Sequence, residues 1–517
     1  MGLSSKRLFI FATVLVFSFV YFRTGFCSSC ADVKNASFGP GVTITSATMV
    51  AGTDKVPEHC DVRGNISPEI GFAVKLPTQW NGRFYMTGNH GYAGEIDHKA
   101  IDVGLRKGYA TAGTDMGHDS KKEPGAIAFY HNRQKEIDFC YRATHETAVT
   151  AKEVIRAYYG RLPAFSYFVG SSTGGRQGLM EAQRYPSDFN GILCGMPVIE
   201  VCMFMQITWY LQALLTPDSI GMGPVPINNK IITVEKLPLL EKAVYAKCDG
   251  IDGLVDGIID DPRKCTFDPE KDLPLCTGDV ESQDCFTTKQ VTALKKIYGG
   301  VMSNGKPICT RLCPGGEAMW ANRFIGAGTN RPFEYSLNWD AFKYLFFKKD
   351  NPDFEFLRDF NFDTYPPKLD FMRRYFEVTD PELFPFMNNG GKIIITHAWA
   401  DPSHPPLVTI NYYNEVLDFM GSKARDFSRL YMAPGVFRVP VEFEGPGGGG
   451  PGPDNFDLLG PLVDWVEKGI APESIIASHI KDGKTDRTRP LCPYPKVARY
   501  TGSGSIDDTA NFTCVEP

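Results

Sequence analysis

Apolar residues in this chain fall into short β-type runs at residues 69–76, 83–87 and 109–113, which predict strands. A longer stretch, residues 136–159, spaces its apolar positions as a helix does. Phe165–Val169 reads again as a strand, a helix-like run continues to Tyr185, and 191–196 reads as a further strand. After a gap the alternation returns, with strands at 392–396 and 429–433 and an amphipathic helix at 456–468. Strands alternating with helices predict an α/β fold. From Val201 to Phe386 the chain is instead rich in Pro, Cys, Asp and aromatics, a shift that predicts an inserted lid domain. The expected organisation is a signal peptide at 1–29, a first core half at 30–200, the lid at 201–386 and a second core half at 387–517.

The length of 517 residues, 43% hydrophobic, suffices for a large core with an insertion. The leader is read from Lys6-Arg7 followed by an apolar run from Leu8 to Phe22, shorter than a comfortable bilayer span. It predicts a secreted or periplasmic protein with no membrane partner after its removal. A net charge of −6 with scattered Lys and Arg offers no basic stripe for nucleic acid. Fourteen cysteines agree with an oxidising compartment. Local spacing suggests the pairs Cys248/Cys265, Cys276/Cys285, Cys309/Cys313 and Cys492/Cys514, with Cys30/Cys60 a fifth; spacing does not fix connectivity.

The candidate chemistry centres on Gly170-Ser171-Ser172-Thr173-Gly174, a G-x-S-x-G turn between a strand and a helix. There Ser172 would stand clear as a nucleophile while the Thr173 N–H faces a developing oxyanion. The glycine-rich turn Gly88-Asn89-His90-Gly91 follows another strand and suits a second oxyanion donor, Gly91. After the strand at 392–396 comes His397-Ala398-Trp399-Ala400-Asp401-Pro402, where Asp401 would be the acid that orients a base. Separately, Asp249, Asp252 and Asp256 recur with interleaved glycines between Cys248 and Ile258, a pattern that converges carboxylate and carbonyl oxygens on a hard cation, read as structural Ca2+.

With these motifs and Tyr431-Met432-Ala433-Pro434-Gly435, the chain resembles the tannase and feruloyl esterase family, which also contains mono(2-hydroxyethyl) terephthalate hydrolases; the resemblance runs from Cys30 to Cys514. It implies an α/β-hydrolase fold with a large calcium-carrying lid and a pocket for aromatic acid esters. It also implies a nucleophile at Ser172, an acid at Asp401, and calcium ligands on Asp249, Asp252 and Asp256 with the carbonyls of Leu254 and Ile258. Three positions depart from the family pattern. Arg438 stands where its catalytic histidine would be, and Ser171 and Val439 stand where two cysteines would form a disulfide.

Guanidinium stays protonated and offers no lone pair, so Arg438 cannot replace the base. His404, three residues after Asp401, is the best alternative, and His90 a weaker one that would otherwise contact substrate. By the resemblance, His118, His145 and His397 are satisfied structural histidines; His59, His98, His131 and His479 are expected at the surface. The expectation is a secreted serine carboxylic ester hydrolase acting on small feruloyl- or galloyl-type esters. The alternative is an impaired homologue that binds phenolic ligands or a partner, which gains if no imidazole lies near Ser172.

Overall fold

The computed structural model describes residues 29–215, 230–326 and 331–517. All of the expected leader but Ser29 lies outside the described residues. Among the described residues, nine strands form one sheet. They are β1 (Val42–Val50), β2 (His59–Ile66), β3 (Ile70–Pro77), β4 (Arg83–Thr87), β5 (Ala110–Thr114), β6 (Phe165–Ser171), β7 (Gly191–Gly195), β8 (Lys392–Ala398) and β9 (Ser428–Ala433), in the order β1-β2-β3-β5-β4-β6-β7-β8-β9. β1, β2 and β3 pair antiparallel, as do β3 and β5, whereas every pairing from β5 to β9 is parallel. The parallel strands β6, β7 and β8 are buried almost throughout, which is why they read as continuous apolar runs. β1 and β2 escaped the sequence reading. β2 alternates buried and half-exposed positions around polar residues and a glycine, so its apolar signal is thin.

The long helix is divided. A turn at Arg133–Ile137 and a π-helical turn at Asp138–Arg142 precede the regular helix α1 (Ala143–Tyr159). The widened turn frees carbonyls, and those of Phe139 and Cys140 accept from the fully buried Arg176 at 2.9 and 2.7 Å. Arg176 belongs to α2 (Thr173–Arg184), so this bond set locks the helix that follows Ser172 to the layer outside the sheet. The last amphipathic helix, α3 (Leu459–Lys468), starts three residues later than its apolar pattern. The reason is that Asp457 Oδ1 takes the free N–H groups of Leu459 and Gly460, at 2.9 and 3.1 Å.

Between β7 and β8 the described chain is mainly helical and carries the disulfides Cys202–Cys309, Cys248–Cys265 and Cys276–Cys285. Cys30–Cys60 and Cys492–Cys514 also form as their spacing suggested. The pair Cys309/Cys313 is corrected: Cys309 joins Cys202, 107 residues earlier, with Cα atoms 5.8 Å apart. Cys313 is a buried free thiol, pushed up to about 12 by its burial. A long-range contact set by helix packing decides this bridge, and local spacing carries no trace of it. No helix of the described residues is long and apolar enough to cross a membrane.

Candidate active site

The turn after β4, the turn after β6 and the loop after β8 all lie at the carboxyl ends of parallel strands, where open α/β sheets bind ligands. Ser172 joins β6 to α2 at φ +58° and ψ −118°, a strained conformation for a residue with a side chain. Its neighbours make the sharp reversal possible. A Cβ on Gly170 would lie 2.8 Å from the Gly174 backbone, so β6 and α2 approach as only glycine permits. The Ser172 N–H donates to the Gly195 carbonyl at 2.9 Å, holding the turn against β7. Thr173 is the first residue of α2, so its N–H has no intrahelical acceptor, while its hydroxyl donates to the Gly91 carbonyl at 2.7 Å. That bond draws the Gly88–Gly91 turn, with Gly91 at φ +53°, beside the serine.

An imidazole stands beside Ser172, carried by the loop after β8. His404 Nε2 lies 3.0 Å from Ser172 Oγ, and His404 Nδ1 lies 3.5 Å from Asp401 Oδ2. Asp401 Oδ1 accepts from the N–H groups of Ser403 and His404 at 2.9 and 3.0 Å, coiling the loop tightly enough for a residue three positions away to turn back over the serine. Below it His397 is a brace. Its Nε2 meets the His404 carbonyl and its Nδ1 the Thr409 hydroxyl, both at 2.8 Å, and burial pulls its pKa down to about 4 so that it stays neutral. Burial opposes charge on Asp401, but the neighbouring His404 and the Arg438 guanidinium outweigh it and hold the carboxyl well below the usual range. Asp401 Oδ2 and His404 Nδ1 are buried with no hydrogen-bond partner among the described residues, and they face one another at 3.5 Å. The condition that would favour a binding-only role, no imidazole near Ser172, is not met.

Ser171 and Val439, the positions of the absent disulfide, still touch. Ser171 Oγ donates to Glu442 Oε2 at 2.6 Å with the Val439 carbonyl at 3.1 Å, and it accepts from the Val441 N–H at 2.9 Å. Glu442 also pairs with His90, Oε1 to Nε2 at 2.5 Å. His90 thus anchors the loop that follows Arg438 rather than approaching Ser172 as a base. Glu442 was missed because its role needs three separate segments to meet.

A cavity of about 480 Å³ opens on Ser172 and is lined by Arg323, Phe333, Leu337, His404, Arg438 and Phe443, among others. A smaller, apolar recess of about 20 Å³, walled by Tyr92, Phe139, Phe204 and Phe376, also reaches Ser172. The larger cavity gives a small ester room beside Ser172.

The remaining histidines divide differently from expectation. His145 pairs with Asp188 at 2.6 Å as a structural contact, and His131 is exposed. His98 and His479 are half-buried. His59, expected at the surface, is buried in β2 with its Nδ1 against the Pro57 carbonyl at 2.8 Å, because β1 and β3 flank it. His118 is buried but, among the described residues, has no hydrogen-bond partner on either ring nitrogen, and burial lowers its pKa to about 4.

In the acidic loop, Asp249 accepts from the N–H groups of Asp256 and Gly257, Asp252 from Leu254, and Asp256 from Ile258, at 3.1–3.2 Å. Asp256 also meets Arg489 at 2.6 Å. Asp260, which the sequence reading did not single out, is raised to about 8 by burial and by the charges of Asp252 and Asp256. Mutually repelling oxygen donors of this kind fit a hard divalent cation.

Residues 54–515 match the family described as tannase and feruloyl esterase. The chain is 32% identical to a mono(2-hydroxyethyl) terephthalate hydrolase of Piscinibacter sakaiensis, over 91% of this chain and 87% of that protein. Among solved structures it is similar to an esterase and to feruloyl esterase B, both from Aspergillus oryzae, at TM-scores of 0.81 and 0.80. Both are 25% identical, covering 95% and 94% of this chain and 99% of each of those chains.

Proposed function

The chain belongs to the tannase and feruloyl esterase family, and on that premise we propose that it is a secreted serine hydrolase of aromatic carboxylic esters. The observation that carries the reading is the 3.0 Å contact between Ser172 Oγ and His404 Nε2, backed by Asp401. With its proton on Nδ1, His404 takes the Ser172 proton at Nε2 as the oxygen attacks the ester carbonyl. The N–H groups of Thr173 and Gly91 hold the oxyanion, and Asp401 steadies the imidazolium. His404 then protonates the leaving alcohol, and a water activated by the same nitrogen releases the acid from Ser172. The 3.5 Å gap between His404 and Asp401 closes in this scheme as substrate fills the cavity, since catalytic hydrogen bonds often tighten only in the loaded enzyme.

The segment 201–386 acts as the lid in this reading, because it contributes Arg323, Phe333 and Leu337 to the cavity. Asp249, Asp252 and Asp256, with the carbonyls of Leu254 and Ile258, would hold a structural Ca2+ there, which crosslinks the loop and takes no part in the chemistry. The leader at 1–29 directs export.

The test is the initial rate on methyl ferulate and methyl gallate for the wild type, Ser172→Ala and His404→Gln. Turnover by the wild type with losses of about a thousandfold or more in both variants supports the assignment. A silent wild type overturns the hydrolase reading, and an unimpaired His404→Gln overturns the base.

A further inference from the structure

The two oxyanion donors of the mechanism, the N–H groups of Thr173 and Gly91, belong to separate turns, one after β6 and one after β4. Their spacing sets how well a developing oxygen anion is held, and a misplacement of about 1 Å costs on the order of a hundredfold in rate. Thr173 opens α2, which Arg176 locks to the outer layer. Gly91 has less to hold it. It stands at φ +53°, and no atom lies within 4 Å of the place its Cβ would take, so nothing crowds it into one orientation. Its carbonyl takes the Thr173 hydroxyl at 2.7 Å, which fixes the far side of the residue from its N–H. The His90–Gly91 peptide, which carries that N–H, rests on a turn bond from the Ala93 N–H to the His90 carbonyl at 2.9 Å. Its other hold is the His90 side chain. Glu442 Oε1 lies 2.5 Å from His90 Nε2, and the His90 ring stacks on Phe443 with centroids 6.1 Å apart. Glu442 Oε2 accepts from the hydroxyl of Ser171, the residue before the nucleophile, at 2.6 Å. One buried carboxylate therefore spans both turns, with one oxygen at each.

We propose that Glu442 is the positioning residue of the oxyanion hole: by gripping Ser171 and His90 at once, it sets the distance between the Thr173 and Gly91 N–H groups. This rests on the ester hydrolase reading and deepens it. Glu442 is 1% exposed and does not line the cavity on Ser172, so it acts through its two neighbours rather than on substrate. A carboxylate suits the task because both of its oxygens accept, so that one side chain holds a hydroxyl and an imidazole together. The Val441 N–H donates to the same Ser171 oxygen at 2.9 Å, which joins the loop to the nucleophile's turn by a second route. The tie to His90 is the part that Glu442 adds, and it is the part that reaches Gly91.

The experiment measures kcat and KM on methyl ferulate, and Ki for phenylboronic acid, in the wild type, Glu442→Ala, His90→Phe and the double variant. Phenylboronic acid reports on the oxyanion hole because its boron bonds to the Ser172 oxygen, whose proton passes to His404, and becomes a tetrahedral anion. His90→Phe keeps an aromatic ring against Phe443 and loses the pair with Glu442. Each single variant should lower kcat about 10- to 100-fold with KM within about threefold, and weaken phenylboronic acid binding by about tenfold or more. The double variant should be no worse than Glu442→Ala, since both changes remove one tie. A merely structural role would lower the amount of active enzyme and leave KM and Ki unchanged. The proposal is overturned if kcat and Ki of Glu442→Ala match the wild type, if kcat falls with Ki unchanged, or if the two losses multiply in the double variant. Should Glu442→Ala not fold, Glu442→Gln, which keeps the volume, takes its place in the cycle under the same criteria. A wild type silent on the ester overturns the hydrolase reading and this proposal with it, whereas an active wild type beside an unimpaired Glu442→Ala overturns the proposal alone.

Discussion

Glu442 is the side chain whose removal best tests how the loop after Arg438 is held. It is 1% exposed, it receives the Ser171 hydroxyl at 2.6 Å, and it pairs with His90 at 2.5 Å. In Glu442→Ala the bond from Ser171 to a charged acceptor is lost, at a cost of about 1.5–3 kcal/mol. Ser171 is not orphaned, since the Val439 carbonyl and the Val441 N–H remain in reach, so the loss stays within that range. The His90 side chain is 40% exposed, and its pair is screened to at most about 1 kcal/mol. The expected total is about 1.5–4 kcal/mol, which for a cooperative unit of this size lowers Tm by about 1.5–4 °C. The pair with Glu442 overcomes the opposing effect of burial and raises the His90 pKa above its ordinary value. A raised histidine stabilises fully below its unfolded value of about 6.5, and that part is lost as pH rises through the folded value. Thermal unfolding of wild type, Glu442→Ala and Glu442→Gln at pH 6 and pH 9 reads both effects. The deficit of Glu442→Gln should shrink at pH 9, while Glu442→Ala keeps the cost of the lost Ser171 bond at both. A change below about 0.5 kcal/mol in Glu442→Ala, or a deficit of Glu442→Gln that ignores pH, refutes the reasoning.

Other substitutions reach the site by different routes. Asp401→Asn keeps an oxygen to accept from the Ser403 and His404 N–H groups, so the loop should fold while kcat falls about 10²- to 10⁴-fold with little change in KM; steady-state kinetics on methyl ferulate checks this. His397, depressed to about 4 by burial, binds a proton in the unfolded chain before it does in the folded one. Stability should therefore fall as pH drops from 6.5 towards 4, by up to about 3 kcal/mol, and His397→Gln should flatten that slope in pH-dependent denaturation. Chelation by EGTA should lower Tm in the wild type, and Asp252→Ala should remove that response; a Tm indifferent to chelator and added Ca2+ counts against the cation site.

What could be read from the sequence followed the length over which each signal is local. The strands β4 and β6 through β9 announce themselves as buried apolar runs, and the Gly170–Gly174 turn carries its geometry in five consecutive residues, so the sheet and the sharp turn at Ser172 were both visible. Asp401 and His404 are three residues apart, and their contact with one another is nearly local. The contact of His404 with Ser172 spans 232 positions and depended on how tightly Asp401 coils its loop. The Cys202–Cys309 bridge and the Ser171–Glu442–His90 contact have no local component at all, and the pattern of the chain was silent on both. The replacement of an expected histidine by Arg438 shows how these scales interact. Taken alone it argues against catalysis, because an arginine cannot accept a proton. In the folded chain the same charge helps keep Asp401 ionised, beside the imidazole of His404. What a lost local motif means is therefore set by the contacts that the whole fold assembles around Ser172.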